Sequence, residues 1–301
     1  MRTESDSAFD AIVIGGSYAG LSAAMQLARA RRQILVIDAG MRRNRFADAS
    51  HGFLGQDGRS PKVIAAEARA QLMNYPTVRW WEGEAVLASK SGDENFTVAV
   101  QGGESFLAKR LVLASGVIDE LPPIDGLAER WGKTVFHCPY CHGYELNNGR
   151  IGVLARGEIS LHHALMLPDW GHVTLFINNS FTPNEKQLEA LSKRHVVIEY
   201  ERVAGIRDTA TVELADGRSV RLDGLFALPY TRLASPVAEQ LGCALDEGPT
   251  GSFIRTDAMK ATTVPGVFAC GDAARAAGNV ALAVGEGAQA GISAHQSIIF
   301  S

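Results

Sequence analysis

The residues AIVIGGSYAGLSAAMQLARARRQILVID (11–38) decide the fold that this 301-residue chain is expected to adopt. An apolar run is followed by a glycine-rich turn, a stretch with apolar residues at helical spacing, and a second apolar run that ends at Asp38. This order is typical of a βαβ unit whose glycines permit a tight turn and whose helix N-terminus faces the phosphates of a dinucleotide. Asp38 stands where a carboxylate can accept hydrogen bonds from a ribose.

The turn itself reads GGSYAG (15–20), so Ser17 replaces the middle glycine of the usual G-x-G-x-x-G pattern. A serine is small enough to keep the close approach between backbone and pyrophosphate. A βαβ turn that binds no ligand is the alternative reading, and the motif alone leaves it open.

The bulk composition excludes several classes of protein. The chain is 46% apolar and 21% charged, with a net charge of −4 and no basic cluster of the kind that binds nucleic acid. We expect no membrane span, because no uncharged apolar run reaches about 18 residues. The polar start MRTESDSAFD lacks the pattern of a signal peptide. Four cysteines are too few for a disulfide scaffold, so we expect a cytoplasmic location.

Three further segments identify a family resemblance. KRLVLASGV (109–117) and TTVPGVFACGDAA (262–274) are apolar strands that end in small residues, and CPYC (138–141) lies between them. Together with GGSYAG, these segments resemble the thioredoxin reductase-like flavoproteins, which carry FAD and a redox-active C-x-x-C. The resemblance implies an α/β fold of two Rossmann-like, three-layer dinucleotide-binding domains, the second inserted in the first.

The same resemblance predicts the domain boundaries. Residues 1–118 and 247–301 would form a discontinuous FAD-binding domain, and residues 119–246 an inserted domain of the NADPH-binding type that carries the C-x-x-C. The linker sequences IDELPPIDG (118–126) and DEGPTGS (246–252) are rich in Pro, Asp and Gly, as expected of connections between domains.

The inserted domain has a second βαβ sequence, RIGVLARGEISLHHALMLPDWGHVTLFINNS (150–180), but its turn reads ARGEIS. Ala155 replaces the first glycine, and its Cβ hinders the backbone geometry that holds a pyrophosphate. After the next strand, Asn178 and Asn179 stand where such domains place arginines for NADPH or an acid for NADH. We predict that this domain binds no nicotinamide cofactor. An atypical NADPH site that uses Arg156 is the alternative.

The resemblance also assigns the residues that contact FAD. Backbone contacts to the pyrophosphate and ribityl region, a ribose contact through Asp38, contacts on the adenosine side, and contacts near the isoalloxazine are all implied. The predicted set is Gly15, Gly16, Ser17, Ala19, Gly20, Asp38, Arg43, Asn44, Val86, Ser115, Gly116, Gly271, Asp272, Asn279 and Val280.

The sequence HCPYCH (137–142) allows three readings: half of a zinc site, a structural pair, or a redox pair. Zinc needs two more ligands, and the other cysteines are far apart in sequence. We therefore predict no metal and favour a redox pair that exchanges with a substrate dithiol. The resemblance implies that Cys141 passes electrons to the flavin and that Cys138 meets the substrate. His142 is then the candidate general base, or alternatively a hydrogen-bonded structural histidine.

If no nicotinamide binds, the flavin must pass its electrons elsewhere, and dioxygen is the simplest acceptor. The segments CPYCHGYE and RNRFADASHGFLGQDG (43–58) are similar to those of the gliotoxin and holomycin dithiol oxidases. This similarity implies an FAD-dependent dithiol oxidase that closes a disulfide in a small molecule or peptide and releases hydrogen peroxide, and it suggests a homodimer. A disulfide reductase that uses NADPH or another donor, and a non-catalytic redox sensor, are the alternatives.

Overall fold

The computed structural model describes residues 8–92 and 95–300. Residues 1–7, which make up most of the segment MRTESDSAFD behind the signal-peptide prediction, lie outside the described residues. The strands are β1 (Phe9–Ile14), β2 (Ile34–Asp38), β3 (Val78–Glu82), β4 (Ala85–Ser91), β5 (Asn95–Val100), β6 (Ser105–Leu113), β7 (Val117–Glu120), β8 (Val135–Phe136), β9 (Arg150–Leu154), β10 (His172–Phe176), β11 (Val197–Glu199), β12 (Val203–Arg207), β13 (Thr211–Leu214), β14 (Ser219–Arg221), β15 (Gly224–Ala227), β16 (Tyr230–Leu233), β17 (Leu245–Gly248), β18 (Gly251–Ile254) and β19 (Val267–Ala269). The helices are α1 (Tyr18–Arg29), α2 (Pro61–Met73), α3 (Pro139–His142), α4 (Leu161–Met166), α5 (Glu185–Lys193), α6 (Val237–Gln240) and α7 (Val280–Ile299).

The chain divides into two compact units, and the second interrupts the first. Of the described residues, the first unit comprises those within 1–43, 62–118 and 231–301, and the second comprises those within 44–61 and 119–230. These boundaries differ from the predicted ones in two places. The chain returns to the first unit at residue 231 rather than 247, and the segment 44–61 groups with the second unit.

The first unit is built on a sheet with the order β3-β2-β1-β6-β5-β4, in which β19 also pairs with β6. The strands β1, β2, β3, β6 and β19 run parallel, whereas β4 and β5 are antiparallel additions. The carboxyl ends of the parallel strands therefore meet at one edge, which is where open α/β sheets bind their ligands.

Both faces of this sheet are covered, as the unbroken apolar run of β1 predicts. Ala11 and Val13 pack on one side, and Ile12 and Ile14 pack on the other. On the first side α1 lies against α7, and small residues bring the two helices together. A Cβ at Gly287 would collide with the carbonyl oxygen of Ala19, so only glycine permits this approach.

The second unit repeats the pattern with a fully parallel sheet of order β11-β10-β9-β15-β8 and a separate antiparallel sheet, β12-β13-β14. Residues of alternate register on β9 again pack into different cores, with Val153 on one face and Leu154 on the other. The helix that follows β9 is shorter than its counterpart in the first unit: α4 spans 6 residues, whereas α1 spans 12. The predicted fold class, two Rossmann-like units with the second inserted in the first, is confirmed.

Candidate functional site

The first unit forms a cradle at the carboxyl ends of β1 and β6. A Cβ at Gly15 would collide with the backbone of Ala114 and Ser115, and a Cβ at Gly20 would collide with the carbonyl oxygen of Gly15. Gly15 also has a φ of +105°, which L side chains rarely adopt. The turn therefore brings the ends of two strands and the start of α1 into backbone contact, and Ser115 and Gly116 lie beside it.

Asp38, at the end of β2, is fixed against the same turn. Its Oδ1 accepts a hydrogen bond from the backbone N–H of Gly16 at 3.0 Å. Ser17 precedes α1 in an extended conformation, and its side chain makes no capping hydrogen bond. The carboxylate thus sits at the tip of the neighbouring strand, where the ribose of a dinucleotide bound on this turn would lie.

Trp80 is a residue of this cradle that the sequence reasoning assigned no role. Its ring borders Gly16, where an added Cβ would come within 2.7 Å of both the ring and the Cβ of Asp38. Within the described residues, its buried indole N–H has no hydrogen-bond partner, and the guanidinium of Arg69 lies 4.2 Å from the ring centre. Trp80 pairs with Val36 in the β2–β3 register, a long-range contact that no local sequence pattern indicates.

The segment after β19 adds charged groups at the same sheet edge. The carboxylate of Asp272 binds the guanidinium of Arg43 at 2.8 Å, and the backbone N–H of Gly271 donates to Glu286 at 3.2 Å. Glu286 also binds Lys260 at 2.6 Å. Arg43 is thus placed by Asp272, a long-range contact that the local sequence does not indicate.

The N-terminus of α7 lies next to the carboxylate of Asp272. Asn279 caps the helix, with its Oδ1 accepting the N–H of Leu282 at 2.8 Å, and Val280 is the first helical residue. A Cβ at Gly278 would collide with Oδ1 of Asp272, so the cap and the Asp272 carboxylate are adjacent. A capped helix of this length presents partial positive charge at its start.

Two of the predicted FAD residues, Val86 and Asn44, are not tied to the cradle by any of the contacts described above. The carbonyl oxygen of Val86, in an irregular part of β4, accepts a hydrogen bond from Gln240 at 3.0 Å. Asn44 belongs to the second unit. The remaining predicted residues come together at one edge of the first unit. The glycine backbone and the helix N-terminus there fit the phosphates of FAD, and the Asp38 carboxylate fits its ribose.

The second unit carries the cysteine pair. Cys138 and Cys141 form a disulfide with their Cα atoms 5.3 Å apart, at the start of α3. The other two cysteines, Cys243 and Cys270, are buried thiols. Burial raises the pKa of Cys243, and burial together with Glu286 raises the pKa of Cys270 to about 12. Because the thiolate is the reactive species, these two buried thiols are poor nucleophiles.

His142 follows Cys141 directly in the chain, and its side chain is half-buried. Its ring stacks on Phe136 with the centres 4.3 Å apart. Burial, reinforced by the charge of His51, lowers the pKa of His142 to about 4. The imidazole is therefore neutral near neutral pH, and a proton placed on it is held weakly. His137 stacks on Trp131 with the ring centres 5.8 Å apart.

The turn of the second βαβ unit is closed by its own hydrogen bonds. The backbone N–H of Arg156 donates to Oγ of Ser160 at 3.0 Å, and the guanidinium of Arg156 lies 3.5 Å from the centre of the Tyr230 ring. Glu158 places an exposed carboxylate on the same turn. A phosphate here would meet a negative charge, and one N–H donor is already engaged.

The residues after β10 are also used structurally. Asn178 and Asn179 both have positive φ, 49° and 55°. The side chain of Asn178 accepts the backbone N–H of Val203 at 2.9 Å. The two asparagines form a turn, and Asn178 also binds the start of β12.

No set of three His, Cys, Asp or Glu side chains within residues 8–92 and 95–300 is arranged to hold a metal ion. In the same part of the chain, no helix is long and apolar enough to cross a membrane.

Comparisons with known proteins agree with this architecture. Residues 9–287 match the family described as pyridine nucleotide-disulphide oxidoreductase. The chain is 34% identical to thioredoxin reductase tcpT of Claviceps purpurea (strain 20.1), over 94% of this chain and 92% of that protein. It is 31% identical to thioredoxin reductase sirT of Leptosphaeria maculans, over 95% of this chain and 93% of that protein.

Solved structures give the same result. An oxidoreductase from Agrobacterium tumefaciens has a TM-score of 0.95 and 58% identity, over 98% of this chain and 99% of that chain. HlmI has a TM-score of 0.92 and 34% identity, over 98% of this chain and 93% of that chain. The predicted resemblance to thioredoxin reductase-like proteins is confirmed.

Proposed function

The chain belongs to the pyridine nucleotide-disulphide oxidoreductase family, and we propose that within it the chain is an FAD-dependent dithiol oxidase. The observation that carries this proposal is the contrast between an intact cysteine pair and a second βαβ turn closed by the bond from Arg156 to Ser160. A reductase that takes its electrons from NADPH has to bind that cofactor at such a turn, whereas an oxidase does not.

In the proposed reaction, a substrate thiolate attacks Sγ of Cys138, and Cys141 leaves as a thiolate. The second thiol of the substrate then attacks the first substrate sulfur, which is bonded to Cys138 in the mixed disulfide, and expels the Cys138 thiolate. The substrate loses two protons and two electrons and gains a disulfide, while the cysteine pair is reduced. When bound, FAD would supply an acceptor for those two electrons and a route by which they reach dioxygen, which becomes hydrogen peroxide.

The substrate class, a small molecule or peptide with two thiols, is supported by the similarity of the CPYCHGYE and RNRFADASHGFLGQDG segments to the natural-product dithiol oxidases. The homodimer and the cytoplasmic location stay predictions. Sedimentation of the purified protein at several concentrations tests the first, and fractionation of the source cells tests the second.

The test is anaerobic mixing of the purified holoenzyme with NADPH, NADH and dithiothreitol in separate experiments, followed by flavin absorbance. We expect dithiothreitol to bleach the flavin, neither nicotinamide to do so, and air to restore the colour with release of hydrogen peroxide. Cys138→Ser and Cys141→Ser should each abolish turnover, whereas Cys243→Ser, which changes a buried thiol far along the chain, should keep it. Turnover that survives in both active-site variants would overturn the proposal.

A disulfide reductase is the second candidate, because the similar Claviceps purpurea and Leptosphaeria maculans proteins carry the name thioredoxin reductase. Arg156 is the one basic residue of the ARGEIS turn and would have to leave the Tyr230 ring to reach a phosphate. Fast bleaching by NADPH, lost in Arg156→Ala, would establish this alternative.

A further inference from the structure

Glu286, on α7, binds both ends of the turn that carries Asp272. One of its carboxylate oxygens, Oε2, accepts the backbone N–H of Gly271 at 3.2 Å, and the other, Oε1, binds the guanidinium of Arg275 at 3.2 Å. Gly271 begins the 3-10 turn Gly271–Ala274, and Arg275 follows its last residue. A single carboxylate therefore fixes the start and the end of the segment between them.

The same carboxylate is bonded to the segment before β19. Oε1 of Glu286 binds Nζ of Lys260 at 2.6 Å, and the carbonyl oxygen of Lys260 accepts the backbone N–H of Ala269, at the end of β19, at 3.0 Å. The side chains of Glu286 and Lys260 are only 15% and 18% exposed, so salt and water screen the ion pair weakly. It joins α7 to the strand that leads into the turn.

The start of the turn has to be held by a group outside it. Gly271 has a φ of +69°, and an added Cβ would lie 2.8 Å from the Cβ of Ala19. The position is therefore restricted to glycine, the residue with the greatest conformational freedom. Gly271 is also buried, and a buried backbone N–H without a partner costs free energy. Glu286 supplies that partner.

The position of Asp272 follows from this turn, because it is the residue directly after the N–H that Glu286 binds. Its carboxylate binds Arg43 at 2.8 Å and adjoins Gly278, just before the cap of α7. Loss of the bond from Gly271 would free the start of the turn and let this carboxylate shift relative to the cradle.

We propose that Glu286 is a positioning residue for FAD, and that its bonds to Gly271 and Arg275 hold Asp272 where the cofactor binds. The inference rests on the proposed function, because FAD is the cofactor of the proposed oxidase. It concerns the binding of FAD and not the acceptor of its electrons. Charge alone predicts the opposite effect, since removal of a carboxylate near the anionic pyrophosphate of FAD would strengthen binding.

The test compares Glu286→Gln with Glu286→Met. Both variants remove the charge and keep about the size of the side chain, but only glutamine keeps an oxygen that can accept the Gly271 N–H. Titration of the deflavinated full-length protein with FAD, followed by quenching of the flavin fluorescence, gives the dissociation constants. We expect Glu286→Gln to bind FAD within about threefold of the wild type, and Glu286→Met to bind it at least about tenfold more weakly.

Two further variants separate positioning from charge and from stability. Asp246→Asn removes a carboxylate of the same unit that is bound to Arg255 at 2.6 Å, away from the turn, and should keep the wild-type dissociation constant. Lys260→Met removes one ion pair of Glu286 but leaves its bond to Gly271. It should lower the thermal midpoint by a few degrees and keep the affinity for FAD within about threefold.

The failures of the two proposals are distinguishable. If the wild type binds no FAD, the proposed function fails. If the wild type binds FAD and the two Glu286 variants bind it equally, or if Lys260→Met loses as much affinity as Glu286→Met, the assignment of Glu286 is overturned. Failure of Glu286→Met to fold, judged by far-UV circular dichroism of the apoprotein, would also overturn it, because Glu286 would then be required by the fold itself.

Discussion

The two βαβ turns of this protein have the same plan and different content. The turn GGSYAG (15–20) has glycine at its first and last positions, where a side chain on Gly15 or Gly20 would collide with neighbouring main chain. ARGEIS (155–160) has side chains at both corresponding positions, a buried Ala155 and a Ser160 that accepts the N–H of Arg156. A sheet with a following helix is therefore kept in both units, while the geometry that receives a phosphate is kept in the first.

The largest expected effect comes from exchanging these two pairs of residues. Gly15→Ala with Gly20→Ser installs the second turn's residues in the first, where each clash should cost about 1–3 kcal/mol. We expect the purified variant to contain at most one tenth of the FAD of the wild type, measured as flavin absorbance per protein.

The reverse exchange, Ala155→Gly with Ser160→Gly, is the control. It should leave FAD retention unchanged and should not produce reduction by NADPH, because Glu158 and the turn at Asn178 remain. A double variant that gained fast reduction by NADPH would show that the turn alone decides nicotinamide binding.

The next effect concerns acid stability, which should depend on the second unit. Burial, with the charge of His162, lowers the pKa of His163 to about 4, and His142 has a similarly low pKa. Each group has an ordinary pKa of 6.5 when unfolded. The unfolded chain therefore binds more protons than the folded one between about pH 6.5 and pH 4, and stability falls as the pH falls through that window.

For the nearly buried His163, the loss is roughly 2 kcal/mol by pH 5. Chemical denaturation of the wild type and of His163→Phe at pH 5 and pH 7.5 measures it. The variant should lose less stability on acidification than the wild type, and His172→Gln should behave as the wild type does. An equal pH response in all three proteins would contradict the assignment.

The smallest effect concerns the turn after β10. Asn178→Gly keeps a residue that tolerates positive φ but removes the acceptor of the Val203 N–H. We expect a loss of about 1 kcal/mol, seen as a fall of a few degrees in the thermal midpoint, with FAD content unchanged. Asn179→Gly, at a similar φ without that hydrogen bond, should change the midpoint less. Equal effects would mean that the turn, and not the bond, stabilises this segment.

Local patterns in the chain predicted much of this architecture. The run AIVI, the glycine turn and the apolar run before Asp38 lie in β1, the following turn and β2, because periodicity and small residues act over a few neighbours. The C-x-x-C pair was recognisable by its spacing alone.

Other features depend on residues that are distant in sequence. The pairing of Arg43 with Asp272, the place of Trp80 beside Gly16, and the ion pair of Glu286 with Lys260 each join separate segments. No local pattern reports such contacts, since they arise only when parallel strands bring their ends together or a loop closes.

The sequence by itself determined the two nucleotide-binding folds, the family and the cysteine pair, because glycine turns, apolar periodicity and C-x-x-C spacing are local properties of the chain. The tertiary structure alone decided that Cys243 and Cys270 are buried thiols and that His142 is a half-buried ring with a lowered pKa, stacked on Phe136. It also decided that Glu286 binds both ends of the turn that carries Asp272. Burial and charge set the reactivity of a thiol or an imidazole, and both are fixed only when distant segments pack around it.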